Sequence, residues 1–263
     1  MQTLHEIQSF QKSNYTHPCY IEERSDYLQS EKALDLGIEE NITIRKAVTV
    51  DDMVKVFRVR WEGYKKYYKS EEENLDKYDF SPKTTLLLAE DKHHNAVGTI
   101  RIIDRRYGGI ELDNFIDLDS FLSEKERVCI EATRFSIPKH PDSKLIKLLL
   151  WKTLFSYCQI NHINTILMSA RPAAARSYKC LFFENVGPLG VYRHSLLGTL
   201  EHQTYKCNIS ERKYVMKKNN GHLYHFFFLK KHSNINTDYF KFYTQETEGF
   251  ESPVHENENF VFA

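Results

Sequence analysis

The stretch that decides the fold is Val128-Cys129-Ile130-Glu131-Ala132-Thr133-Arg134-Phe135-Ser136-Ile137. It is rich in apolar and β-branched residues and is followed by Pro138, so it predicts a β-strand. Side chains of a regular strand alternate between faces, so Glu131 and Arg134 would face away from each other. A β-bulge between them would bring both to one face and leave a backbone N–H unpaired. That combination suits a reaction that forms an oxyanion; an ordinary edge-strand ion pair is the alternative.

Composition limits the classes of function. The 263 residues carry 36 Lys and Arg against 36 Asp and Glu, so overall charge gives no reason to expect nucleic acid as a partner. The five cysteines are odd in number and widely spaced, which predicts reduced thiols in a cytoplasmic protein. No Cys-x-x-Cys or His-Glu-x-x-His motif occurs, so we predict no metal site. Apolar runs are short, so we expect no stable membrane insertion.

Apolar periodicity predicts a mixed order of strands and helices. We expect strands at 41–48, 85–90, 96–104, 128–137, 165–170, 201–209 and 223–229, and helices that start near 49, 143, 171 and 210. Thr49 with Asp52 forms an approximate capping box at the first helix start. The segment 111–126 is acidic, and we expect it to lie on the surface as partial helix. We assign 1–40 to an N-terminal extension, 41–232 to the main domain and 233–263 to a polar tail.

Charged residues at four places along the chain predict one network. Arg60 lies on the inward face of the first predicted helix, and a buried Arg needs a carboxylate partner. The acidic loop 70–79 ends in Asp76 and Asp79, which we expect to turn inward as part of a lid over a cleft. Arg101 lies in the second strand of the predicted hairpin. Solvated loop charges and purely structural ion pairs are the alternative.

This order of elements resembles the Gcn5-related N-acyltransferase (GNAT) fold, an α+β fold with a mixed central sheet flanked by helices. The chain is similar to the N-acyl amino acid synthases and to the related acyl-homoserine-lactone synthases over about residues 42–195. The matching motifs are Arg60 with Tyr64, Asp76-x-x-Asp79, Gly98-x-x-Arg101, Glu131-x-x-Arg134-Phe135 and the helix around Tyr178. The resemblance implies transfer of a fatty acyl group to the amine of an amino acid.

Two departures refine this expectation. The lactone synthases usually have a Trp after the first helix, whereas this chain has Tyr67 and Tyr68. Enzymes of this fold that use coenzyme A have a glycine-rich loop that binds pyrophosphate at a helix N-terminus. Here the loop is 137–143, with two prolines and no glycine, so we expect acyl-phosphopantetheine of an acyl carrier protein as donor and no permanently bound cofactor. A basic docking face for the acidic carrier would comprise Lys139, Lys144, Lys147, Arg171, Arg176 and Lys179.

In the mechanism that we expect for this acyl transfer, Glu131 is the candidate base, directly or through a water. The backbone N–H near Phe135 or Ser136 would stabilise the oxyanion. Arg134 joins the network that closes the lid and orients the acceptor, and one Arg would bind the acceptor carboxylate. Three alternatives remain open: a homoserine-lactone synthase that uses S-adenosylmethionine, a degenerate GNAT fold that serves as a binding or regulatory module, and an acetyltransferase that uses coenzyme A.

Overall fold

The computed structural model describes residues 41–68, 70–181, 183–193 and 201–241. In these residues eight strands form one sheet in the order β1-β2-β3-β4-β5-β8-β6, with β7 beside β8. Paired strands are antiparallel except β4 and β5, which run parallel. The strands β1 to β8 are, in chain order, Ile42–Lys46, Thr84–Asp91, Ala96–Asp104, Cys129–Ser136, Thr165–Ala170, Glu184–Asn185, Val191–Arg193 and Glu201–Asn208.

The helices are α1 (Val50–Tyr64), α2 (Ser143–Ile160), α3 (Ala175–Cys180), α4 (Ile209–Asn219) and α5 (Gly221–Tyr224). Thr49 and Asp52 form the predicted capping box at the start of α1. The result is an α+β fold with a mixed sheet and flanking helices, as the sequence predicts. The extension assigned to 1–40 lies outside the described residues, as does the tail beyond 241.

Strand β2 shows that both faces of the sheet are covered. Its Leu86 and Leu88 pack with Val56 of α1, whereas Leu87 and Ala89 belong to the main core beneath α2. Alternating side chains of one strand point to opposite faces, so a strand buried on both sides reads as a continuous apolar run. This accounts for the unbroken apolar stretch of β2.

Close packing holds α2 against β3. A Cβ atom at Gly98 would lie 2.8 Å from Ile146 Cγ2 and 3.2 Å from Leu150 Cδ1. Only glycine therefore lets the helix approach the strand this closely. Since α2 follows directly after β4, this packing also fixes the direction in which the chain leaves the strand.

The segment after β3 differs from its prediction as surface. It forms a series of short 3₁₀ turns, at Arg105–Tyr107, Leu112–Asn114, Leu118–Ser120 and Glu124–Arg127. Leu112, Leu118 and Leu122 are buried in a second core cluster with Ile103 and Leu167. The interpretation as an acidic surface segment was wrong because apolar residues spaced between the acidic ones pack against the sheet.

The strand predicted at 223–229 is also wrong. Asn220 caps a helix there, its side chain accepting a hydrogen bond from Leu223 N at 3.1 Å, and α5 continues into a π-helical turn at His225–Leu229. The buried Lys152 of α2 donates to the carbonyls of Phe226 and Lys230 near the end of this turn. A short apolar run does not by itself distinguish a strand from a buried helix, and here the cap decides.

The described part of the predicted tail packs on the domain. Ile44 of β1 exchanges backbone hydrogen bonds with Asn234 and Asn236, at 2.8 and 2.9 Å. Phe240 is buried, and its carbonyl accepts a hydrogen bond from Asn161. Residues 233–241 therefore cover the edge of β1. Within the described residues, every helix is too short or too polar to cross a membrane.

Candidate active site

Arg60 anchors one end of the predicted charged network. It lies on the buried face of α1 and is fully buried, as expected. Its Nη1 atom contacts both carboxylate oxygens of Asp79, at 2.8 and 2.9 Å, and the carbonyl of Asn74 at 3.3 Å. A buried guanidinium is stable only when a carboxylate compensates its charge, and Asp79 supplies that compensation.

The lid turns both of its aspartates inward, as predicted. Asp76 Oδ1 accepts a hydrogen bond from Tyr78 N at 2.8 Å, and Asp79 Oδ2 accepts one from Asp76 N at 3.1 Å. These side chain to backbone bonds are typical of tight turns and fix the two carboxylates relative to each other. The turn is therefore stabilised by hydrogen bonds within itself, in addition to its contacts with the arginines.

Arg101 and Arg134 close the network from the sheet. Arg101 contacts Asp76 at 2.7 Å and Asp79 at 3.0 Å, while Arg134 contacts Asp76 at 2.8 Å and the hydroxyl of Tyr68. Burial would raise the pKa of Asp76, but the charges of Arg101 and Arg134 outweigh burial and lower that pKa. Asp76 therefore stays ionised, and the network joins α1, the lid, β3 and β4.

Glu111 is a network member that the sequence reasoning missed. Its Oε2 atom lies 2.5 Å from Arg101 Nη2, and its Oε1 atom lies 3.4 Å from Arg134 Nη2. It stands just after Gly108 and Gly109, at the start of the segment interpreted as surface. The local pattern gives no sign of burial, because only the fold of the 3₁₀ turns brings Glu111 inward.

The predicted bulge in β4 is confirmed. Arg101 pairs with Thr133 and Thr99 pairs with Ser136, so two residues of β4, Arg134 and Phe135, stand opposite one residue of β3. Arg134 has φ of +52°, in the left-handed region that non-glycine residues seldom adopt. An extra residue of this kind turns the following side chains and interrupts the regular ladder. Arg134 can thus face the network three residues after Glu131.

Helix α1 passes very close to this bulge. A Cβ atom at Gly63 would lie 2.1 Å from Ser136 Oγ, so glycine is needed at this crossing. Ser136 Oγ in turn donates to the carbonyl of Val59 at 3.0 Å. Tyr64, at the end of the helix, donates its hydroxyl to the carbonyl of Phe135 at 2.8 Å. The end of α1 therefore fixes the backbone of the bulge.

A cavity of about 330 Å³ opens beside the bulge. The parallel pairing of β4 with β5 covers only Cys129–Ala132, so the two strands separate from Thr133 onward. Tyr178 of α3 lines this cavity, and burial raises the pKa of its phenol, which therefore stays protonated. Other lining residues include Gly63, Tyr64, Lys66, Tyr67, Glu111, Arg134, Phe135, Ser136, Ser169, Arg171, Tyr192 and His202.

Glu131 lies behind the cavity instead of lining it. It is 1% exposed, and its Oε2 atom accepts a hydrogen bond from Leu112 N at 3.0 Å. Burial, together with the nearby charge of Glu111, raises the pKa of Glu131 to about 8. This burial leaves the predicted direct contact between Glu131 and a substrate without support, so any role in proton transfer runs through another group.

The loop before α2 uses its own N–H groups. The N–H of His140 donates to Ser143 Oγ, and the N–H of Asp142 donates to His140 Nδ1, both at 3.1 Å. The N–H of Ser143 donates to the carbonyl of His140 at 3.2 Å. A pyrophosphate at a helix start is held by such N–H groups, and these three already have partners within the loop.

The predicted docking residues lie in two places. Arg171 lines the cavity, where its guanidinium stacks on Tyr67 at 4.3 Å from the ring centre. Four lysines are exposed or half-buried. Lys139 lies in the loop before α2, Lys144 and Lys147 lie on α2, and Lys179 lies on α3. The side chain of Arg176 lies outside the described residues. Lys66 and Tyr67 line the cavity without having been predicted.

Fold and site together define an acyltransferase of the GNAT type. A family model described as "N-acyl amino acid synthase FeeM" matches residues 55–196, more than half of the chain, so the chain belongs to this family. Among the curated proteins, none matches the sequence.

One solved structure supports the fold, and two others show a weaker similarity. FeeM, an N-acyl amino acid synthase from uncultured soil microbes, superposes with a TM-score of 0.57 at 16% identity over 67% of this chain and 96% of that chain. The AHL synthase LasI gives a TM-score of 0.47 at 18% identity, over 64% of this chain and 88% of that one. An acyl-CoA N-acyltransferase from Pseudomonas aeruginosa gives 0.46 at 14% identity, over 63% and 97%. At 16% identity the likeness to FeeM shows the fold alone.

Proposed function

We propose that this enzyme moves a fatty acyl group from the phosphopantetheine thioester of an acyl carrier protein to the amine of an amino acid. The observation that carries the proposal is the cavity at the β4 bulge, beside a loop in which the N–H groups of His140, Asp142 and Ser143 already have partners. Membership of the N-acyl amino acid synthase family supports an amino acid as the acceptor.

In the proposed reaction the amine nitrogen attacks the thioester carbonyl carbon. A C–N bond forms, the C–S bond breaks, and the proton lost by the amine ends on the leaving thiol. The backbone N–H near Phe135 or Ser136 donates to the oxyanion of the tetrahedral intermediate. Tyr178, which lines the cavity and keeps its proton, donates a hydrogen bond to the leaving sulfur. Tyr64 holds the bulge in place through the Phe135 carbonyl.

The charged network anchors the predicted lid, residues 70–79, to α1, β3 and β4. Arg60 and Arg101 are fully buried and engaged with lid carboxylates, which favours a structural role over direct binding of the acceptor carboxylate. Arg134 borders the cavity and links it to the lid through Asp76. Loss of the network would therefore impair both lid closure and the geometry of the bulge.

The donor assignment rests on the start of α2. Free coenzyme A would need N–H donors for its pyrophosphate, and the loop 137–142 supplies two prolines and N–H groups with internal partners. A carrier protein needs no such cradle, because protein contacts outside the cavity hold it. Basic residues near the start of α2 suit an acidic carrier. The buried free thiols of Cys129, Cys158 and Cys207 suit the reducing cytoplasm, where we place the reaction.

Mass spectrometry tests the proposal directly. The purified protein is mixed with acylated carrier protein and a panel of amino acids, and the products are searched for acyl amides. We expect at least one acyl amino acid, and products absent with every pairing would refute the proposal. S-adenosylmethionine belongs in the panel, because an acyl-homoserine lactone would identify the related lactone synthase activity instead. Acetyl coenzyme A serves as the alternative donor.

Charge reversal tests the carrier surface. Lys144 and Lys147 lie one turn apart at the start of α2, so the double change to Glu reverses the charge of one face. We expect kcat/KM for the acylated carrier to fall about 10-fold, with a weaker salt dependence, since rim charges act mainly on association. A small acyl-pantetheine thioester should react as before. Lys92→Glu, in the exposed β2–β3 turn, is the matched control. Equal loss with both donors would contradict docking.

A further inference from the structure

Glu111 is the carboxylate that the fold brings to the cavity. It lines the cavity, and its side chain is 12% exposed. Arg101 holds its Oε2 atom at 2.5 Å, whereas the Oε1 atom lies at the longer distance of 3.4 Å from Arg134. A carboxylate offers about four acceptor sites, so an ammonium or amine can join these two guanidinium contacts. The group is therefore fixed in position and accessible from the cavity.

Glu131 supports the turn that carries Glu111. Its carboxyl group accepts hydrogen bonds from the backbone N–H of Leu112, at 3.0 Å, and of Glu111. These two bonds tie the start of the second 3₁₀ turn after β3, Leu112–Asn114, to the middle of β4. A shift of Glu131 would move the backbone from which Glu111 projects, and with it the distance from Glu111 to the cavity.

Another part of the cavity lining is polar and consists of Ser169, Tyr192 and His202. Tyr192 donates its hydroxyl to Ser169 Oγ at 2.7 Å, and its ring stacks between Phe115 and His202, with ring centres 4.8 and 5.6 Å away. Ser169, Tyr192 and His202 all line the cavity together with Glu111. This part of the cavity suits a small polar group better than an acyl chain.

We infer that Glu111 binds the amine of the acceptor and that Glu131 is a positioning residue that holds Glu111 in place. The inference rests on the proposed function, because it names the acceptor end of the same cavity. An ammonium has three donors and a carboxylate only acceptors, so their charge-assisted hydrogen bond both attracts the acceptor and directs its nitrogen. Arg101 and Arg134 are paired with Asp76 as well as with Glu111, and Glu111 is the acidic residue among the described residues that line the cavity, so a cationic amine can add to its contacts.

Steady-state kinetics separates the two roles. Glu111→Gln should raise the KM for the amino acid about 10- to 100-fold and leave the KM for the acylated carrier within about twofold. Glu124→Gln, in an exposed turn of the same segment, is the control and should match the wild type. If Glu111→Gln does not fold, Glu111→Asp keeps the charge and should give a smaller rise in the same constant. An unchanged acceptor KM in the folded variants would overturn the assignment.

Two substitutions at Glu131 distinguish positioning from proton transfer. Glu131→Ala removes the acceptor for the Leu112 N–H and should raise the acceptor KM about 10-fold. Glu131→Gln keeps a carbonyl oxygen there and should recover most of that loss, because a positioning role needs only the hydrogen bond. If Glu131 were the base, Gln and Ala would lower kcat equally, and that outcome would refute the positioning role.

A binding experiment tests the inference without turnover. Saturation-transfer NMR compares free amino acids with their N-acetyl derivatives, which lack a basic amine. The wild type should bind the free amines at least fivefold more tightly, and Glu111→Gln should lose this preference. An equal preference in both proteins would overturn the inference. If the wild type forms no acyl amide yet shows the Glu111-dependent preference, the proposed function fails and the amine site stands.

Discussion

The two halves of β4 have different surroundings, although they are parts of one short strand. In the first half, Cys129–Ala132, the backbone pairs with β3 on one side and β5 on the other. In the second half β5 has separated, the chain bulges at Arg134, and the side chains border the cavity. Glu131 belongs to the first half and Arg134 to the second.

This difference decides what each charge can do. Glu131 is enclosed by the sheet, and burial raises its pKa to about 8, so at neutral pH it is mainly uncharged. Arg134 is also buried, but the carboxylates of Glu111 and Asp76 outweigh burial and raise its pKa, so it keeps its charge. We call Cys129–Ala132 the closed half and 133–136 the open half. In the closed half Glu131 is mainly protonated, and in the open half Arg134 carries a positive charge beside the cavity.

Removing Asp79 from the charged network that Arg134 of the open half also joins should have the largest effect of any single substitution. Asp79→Ala leaves the fully buried Arg60 without its main partner and removes one partner of Arg101. Breaking a buried ion pair on one side typically costs about 3–5 kcal/mol, so we expect a loss of that size in the free energy of unfolding. Urea denaturation at neutral pH measures it.

An exposed ion pair provides the contrast. Glu62→Gln removes the surface contact with Lys65, in which both side chains are about half exposed. Such pairs contribute about 0–1 kcal/mol, so this variant should unfold almost like the wild type. If Asp79→Ala also lost less than about 1 kcal/mol, the network would not be part of what holds the lid.

The sequence predicts the bulge of β4 and the inward turn of the lid aspartates, because both features have local signatures. Glu131-x-x-Arg134 requires a bulge if both side chains share a face, and Asp76-x-x-Asp79 forms a turn that orders itself. Glu111 has no such signature. Its place depends on how Leu112, Leu118 and Leu122 pack under the sheet, which is a tertiary property. For the same reason the strand predicted at 223–229 turned out to be helical, since Asn220 and Lys152 decide it from outside the run.

Crowding the crossing of α1 over the open half should have an intermediate effect. In Gly63→Ala the new Cβ meets Ser136 Oγ at 2.1 Å and Ser136 Cβ at 3.3 Å. Overpacking of this kind costs about 1–3 kcal/mol, and it also displaces the bulge and so lowers kcat. Thermal unfolding and steady-state kinetics measure the two effects.

A double-mutant cycle with Ser136→Ala sharpens this result. Ser136→Ala alone loses the hydrogen bond to the Val59 carbonyl, which contributes about 1 kcal/mol. In the Gly63→Ala background the same change also removes the closest clash, so the double variant should be more stable than the sum of the single changes predicts. Strict additivity would show that the crossing relaxes without contact between these two residues.

The last prediction concerns the closed half and is a dependence of stability on pH. The pKa of Glu131 is about 8 in the folded protein against an ordinary value of 4.5, so between these values the native state binds a proton that the unfolded chain has lost. The contribution of Glu131 to stability is therefore greatest below about 4.5 and decreases as pH rises toward 8, by up to about 1.4 kcal/mol per pH unit. Glu131→Gln cannot ionise, so the wild type should lose stability relative to this variant across that window and level off above it. Chemical denaturation of both proteins at intervals from pH 5 to 9 measures the difference. A difference that stays constant with pH would mean that Glu131 is ionised in the folded protein. Glu131 and Arg134 would then both be charged, and the contrast between the two halves of β4 would disappear.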